Sequence, residues 1–191
     1  MVFHLSAEDF IPFGYEIIPC LLTERNRGLF HNHFIEFSKR PRLIEIKGDT
    51  FADRLRYIAS FNEIADTNIE SVFRLILNAA VKNNIPQEEL PETLYIISDM
   101  EFNSCVRNAG EANFENAKRM FEKHGYSLPE IVFWNVASRN LQMPVTMNEQ
   151  GVALVSGCSP ALFSRVLSGD TNPYSFMMDV LNSSRYTAVT A

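Results

Sequence analysis

Apolar positions along the chain recur with two periods. Phe10, Phe13, Ile17, Ile18 and Leu21 follow the three- and four-residue spacing of a helix with one buried face. Ser6 followed by Asp9 reads as its cap with an acidic first turn. Pro12 suits that turn, Pro19 predicts a kink, and Asn26-Arg27-Gly28 ends the helix. His33 to Ser38 and Arg42 to Lys47 then read as strands, and the short Lys39-Arg40-Pro41 link predicts an antiparallel hairpin. Gly48-Asp49 reads as the cap of a helix from about Phe51 to Phe61. After a polar loop, Ile69, Val72, Phe73, Ile76, Leu77 and Ala80 mark an amphipathic helix ending near Asn83-Asn84.

The second half holds short, nearly continuous apolar runs: Thr93 to Ser98, Glu130 to Asn135 and Val152 to Ser156. Strands covered on both faces read this way. Helices fall between and after them. One contains Phe114, Ala117 and Phe121 and stops at Gly125. Another opens at Ser159-Pro160, and a last one runs from about Pro173 to Asn182, with a frayed tail. The alternation predicts an α/β fold: a Rossmann-like, mostly parallel sheet with an antiparallel edge hairpin and helices on both faces. Ligands of such sheets bind beyond the carboxyl ends of the strands. Asp99 follows the Thr93–Ser98 strand directly, which singles it out.

Composition narrows the classes. The 191 residues fit a single domain over 1–191, with 1–22 as an N-terminal helix and 170–191 as a C-terminal helix and tail. A net charge of −6 argues against a general nucleic-acid binder, because phosphate binding needs a basic surface. Cys20, Cys105 and Cys158 are odd in number and widely spaced, which fits free thiols in a reducing cytosol. The N-terminus lacks a signal-peptide pattern, and Phe10 to Leu22 is too short to span a bilayer. The expectation is a cytoplasmic protein away from membranes.

The strongest local chemistry is Ser98-Asp99-Met100-Glu101. Two carboxylates at a strand end suit a hard divalent cation, which takes oxygen ligands. Thr67, within Asp66-Thr67-Asn68, would add a hydroxyl. The competing reading is that Asp99 caps its turn and Thr67 its helix. His31 and His33 share a strand face without a third ligand. Cys158 precedes a helix and reads as a buried turn residue. Lys39, Arg40 and Arg42 read as edge charges that block strand-to-strand aggregation.

Five segments, TERNRGLFHNHFIEFS, ADTNIESVFRLILNAAVKN, TLYIISDMEFN, GYSLPEIVFWNVASR and MPVTMNEQGVALVSGCSP, resemble the C-terminal part of an uncharacterised family related to TROVE-module proteins. That part is similar to a von Willebrand factor type A domain. The resemblance runs from about Thr23 to Leu167. It implies a metal-ion-dependent adhesion site for Mg²⁺ or Mn²⁺, in which Thr67 matches the family's Thr and Asp99 its Asp. The family's DxSxS motif, which follows the first strand, is missing. His4-Leu5-Ser6-Ala7-Glu8 is the nearest segment and keeps only Ser6. Either the chain begins after the motif strand, so that another chain or Met1 to Leu5 must fill the gap, or the strand is degenerate and metal affinity is weak.

The resemblance thus implies a non-catalytic module that binds a protein partner through a partial metal site of Thr67 and Asp99. Ser6, which reads first as a helix cap, and Glu101, from its spacing after the strand, are further candidate ligands. An unfilled sheet edge would favour a homo-oligomer. Two alternatives stand beside this. One is a metal-dependent phosphoesterase or nuclease using Asp99 and Glu101. The other is a ribonucleoprotein component, although the acidic charge argues against RNA for this chain alone.

Overall fold

The computed structural model describes residues 2–3, 17–36, 40–61, 69–98, 111–136, 145–147, 152–157 and 159–186. Seven strands form one sheet. They are β1 (Val2–Phe3), β2 (His33–Glu36), β3 (Arg42–Glu45), β4 (Thr93–Ser98), β5 (Glu130–Asn135), β6 (Val145–Met147) and β7 (Ala153–Ser156), in the order β3-β2-β1-β4-β5-β7-β6. The five inner strands run parallel. β3 and β6 are antiparallel edges.

The predicted hairpin is present, with His33 opposite Glu45 and Glu36 opposite Arg42. Two features go beyond the sequence reading. Val2 and Phe3, within the Met1 to Leu5 segment that stood as one candidate for filling the gap, form β1 between β2 and β4. Val2 pairs with Ile35 and Ile96 on its two sides, and Phe3 with Glu36 and Ile97. The gap between β2 and β4 is therefore filled from within the chain, and no second molecule is needed there. β6 was not anticipated, because three residues carry too little periodicity to read.

Helices cover both faces. One face holds α3 (Ile69–Asn83) and α4 (Glu111–Lys123). All six apolar positions of the predicted α3 stripe are buried there, against Ile35, Leu94, Ile96, Ile131 and Phe133. The other face holds α1 (Ile17–Glu24), α2 (Phe51–Ala59) and α5 (Pro160–Leu167). Ile18, Ile58 and Leu162 pack there on Phe34, Ile97, Val132, Trp134 and Val155. Adjacent strand residues thus serve opposite faces, which is why the central runs are apolar throughout. A last helix, α6 (Pro173–Leu181), lies beside β6.

Local chemistry sets the helix ends. The cap of α2 is Thr50, not Gly48-Asp49 as the sequence suggests: Thr50 accepts from the Asp53 amide at 3.1 Å, and Asp53 accepts from the Thr50 amide, a capping box three residues apart. Ser159 caps α5 and Asn172 caps α6, each followed by Pro in the first turn. Gly125, with φ +78°, follows α4 in the left-handed conformation that glycine favours. Pro19 lies inside α1, where its carbonyl accepts from the buried Thr23 hydroxyl at 3.0 Å.

Candidate functional site

Parallel strands end on one side of a sheet, and here the ends are polar. β2 closes on Glu36, β4 on Ser98, β5 on Asn135 and β7 on Ser156. Register aligns them: Ser98 pairs with Asn135, and Asn135 with Ser156. Phe3, the last residue of β1, is level with Glu36 and one residue short of Ser98. Among the described residues the buried polar side chains are Thr23, Glu36, Asn135 and Ser156. Three of these four stand at carboxyl ends of strands, so buried polarity is concentrated where such sheets bind ligands.

The pleat divides the row. Ile131 and Phe133 face α3 and α4, so Asn135, two and four positions on, belongs to that face. Ser156 shares it through Leu154. Glu36 alternates with Ile35 and belongs to the opposite face, with Phe34. There the Arg42 guanidinium donates to Glu36 Oε2 through Nε at 3.1 Å and also through Nη2. The ion pair balances the buried carboxylate.

The turn beyond β7 is tied to the end of β5. Gly157 N donates to the Asn135 carbonyl at 2.8 Å, and Trp134 Nε1 donates to the Gly157 carbonyl at 2.8 Å. Gly157 has φ +98°, so a glycine suits the turn that brings this backbone back over β5. Rigid strands, not loops alone, therefore carry Asn135 and Ser156.

Ser98, predicted from sequence, is the last residue of β4. Ser6, Asp66, Thr67, Asn68, Asp99 and Glu101 lie outside the described residues, as does Cys158. Their positions in the chain remain informative. Asp99 follows β4 directly, and Ser6 comes three residues after β1. Thr67 comes two residues before α3, whose far end, Asn83, leads back toward the start of β4. A 15-residue helix is about 22 Å long, close to the height of the sheet, so α3 begins on the carboxyl side. Among the described residues no group of three His, Cys, Asp or Glu side chains is placed to hold a metal. His31 and His33 bond backbone carbonyls, of Asn26 at 2.9 Å and of His31 at 2.6 Å. They stand at the amino end of β2, away from this edge.

Glu36, Asn135 and Ser156 were missed by the sequence reading. Their signal was nonetheless present: the apolar runs FI, IVFW and VALV each stop at a polar residue. A turn explains such a residue as well as a site does, and only register shows that the stops line up.

A family model described as a domain of unknown function (DUF7788) matches residues 18–180. An uncharacterised protein of Acanthamoeba polyphaga mimivirus is 30% identical over 163 residues, covering 84% of this chain and 28% of that protein. The chain thus spans under a third of the relative it matches. The crystal structure of an aerotolerance-related membrane protein from Bacteroides fragilis aligns over 94% of both chains at 11% identity, with a TM-score of 0.39. That score is too low to carry a conclusion. No helix among the described residues is long and apolar enough to cross a membrane.

Proposed function

The chain belongs to the DUF7788 family, and from that premise we propose that it is a non-catalytic protein-interaction module of von Willebrand A-like architecture. Its ligand edge is the carboxyl end of the parallel sheet, and its metal site is a reduced one. The observation that carries this reading is β1 lying between β2 and β4, with Phe3 in register with Glu36 and Ile97. β1 and β4 are neighbours that end on the same edge, and Ser6 and Asp99 follow them in the sequence. α3 begins on that side, two residues after Thr67 in the sequence. All three residues offer oxygen, the donor that Mg²⁺ and Mn²⁺ take. With most of its coordination left to water, a cation held here would bind weakly and keep an open position for a partner's carboxylate. The metal would supply that attraction, and no bond is broken.

Thermal unfolding with and without excess Mg²⁺ or Mn²⁺, on wild type and Asp99→Ala, tests the reading. A cation at roughly 100 times its Kd stabilises the native state by about 2.7 kcal/mol. The expected result is stabilisation of the wild type alone. Equal response in both proteins, or none in either, removes Asp99 from any metal site and defeats the proposal.

A further inference from the structure

A short link joins α5 to α6. Ser168 ends α5, and Gly169 follows with φ +78°. A side-chain carbon at Gly169 would meet nothing within 4 Å, so the link is open on its outer side. The residues after it are bonded to α6 itself. Asp170 accepts from the Asn172 amide at 3.1 Å and from the Ser175 hydroxyl at 2.8 Å. Asn172 caps the first turn of the helix. Residues 170–181 therefore form one locally bonded unit behind a glycine.

Packing beneath that unit is thin. α5 buries Leu162 and Val166, whereas no residue of α6 is buried. Phe176 reaches the apolar core, half-buried. An open cleft of about 660 Å³ lies between the two helices, with Ala161 and Ser164 on one wall and Val180 on the other. Side chains that face such a gap lose dispersion contacts on that side. Arg165 of α5 crosses it. Its side chain is 9% exposed, pairs with Asp170 at 2.5 Å and with Asp179, and donates to Ser175. The guanidinium also lies 5.6 Å from the Phe176 ring centroid. All four partners belong to the 170–181 unit. One residue thus grips α6 both at the link and near its far end.

We propose that α6 is a strap that opens and closes as a unit about Gly169, with Arg165 as its latch. Opening uncovers the α5 wall of the cleft while the sheet and the other helices stay folded. The latch suits reversible release. Asp170 and Asp179 keep 40% and 72% of their side chains exposed, so water solvates them when Arg165 lets go.

Native-state hydrogen exchange of the whole chain at neutral pH, in low urea, is the test. Exchange of α6 amides should show a shallow urea dependence, because little surface is exposed on opening, and should precede that of β4 and β5. Arg165→Met keeps the buried stem and removes the latch. It should speed α6 exchange by roughly tenfold or more, the contribution of one hydrogen bond to a charged group. Asp179→Asn, at an exposed side chain, should act in the same direction without endangering the fold. Ile131→Val, in the core beneath α3 and α4, should speed β4 and β5 and leave α6 unchanged, since the strap opens without the core. Wild-type α6 amides that exchange in step with β4 and β5, or that speed up with Ile131→Val, overturn the strap. Unchanged α6 exchange in both Arg165→Met and Asp179→Asn overturns the latch.

Discussion

Asn135 and Ser156 stand opposite each other at the last paired position of β5 and β7, and both are buried. Everything before them on this face, Ile131, Phe133 and Leu154, belongs to the apolar core. A polar pair at the rim of such a core costs free energy unless its hydrogen bonds are made. The pair stands where ligands of parallel sheets bind, and both residues have partners within the fold.

Asn135→Leu keeps the branched side-chain skeleton but adds bulk and leaves its bonding partners in dry surroundings. The expected loss is about 1–3 kcal/mol of stability, read as a lower urea midpoint at unchanged slope. Ser156→Ala should cost less, because the residue lies closer to solvent. No measurable change in either variant would mean that these side chains make no hydrogen bond that stabilises the fold.

Acid should loosen α6 first. Arg165 on α5, only 9% exposed, pairs with Asp170 at 2.5 Å and with Asp179, bonds Ser175, and lies 5.6 Å from the Phe176 ring centroid. The Ser175 hydroxyl, donating at 2.8 Å, is the main cause that holds the Asp170 carboxyl below its ordinary value of 3.8, with help from the Asn172 amide and Arg165. A carboxyl depressed by folding stabilises the native state fully above its unfolded value, and that contribution is lost as pH falls through the folded one. Hydrogen exchange followed from pH ~6 down to ~3 should show α6 amides losing protection before β4 and β5. Ser175→Ala should shrink the difference. Loss of protection in step with the central strands would contradict the assignment.

Cys20 should be inert in the folded protein. It is fully buried on α1, and burial is the main cause that raises its thiol pKa, against the pull of Arg54. Thiolate is the reactive form, so both accessibility and ionisation are against modification. Iodoacetamide labelling at neutral pH, mapped by mass spectrometry, should leave Cys20 unmodified until urea is added. Labelling of the native chain at the rate of an open thiol would show that α1 does not stay docked.

The amphipathic α3, the β2–β3 hairpin and the buried strands β4, β5 and β7, and hence an α/β sheet covered on both faces, are legible in the order of residues alone. These elements are legible because their hydrophobic periods run for enough residues to separate helix from strand, and because Ser159 and Gly125 punctuate them chemically. Tertiary structure alone decided the roles of β1 and β6. Two or three residues have no period of their own. Val2 and Phe3 become an inner strand because β2 and β4 offer them hydrogen-bonding partners on both sides, and that lies in pairing distant along the chain. The same holds for Ser98, Asn135 and Ser156. Each is the end of a strand in the sequence, and only the parallel register makes them neighbours.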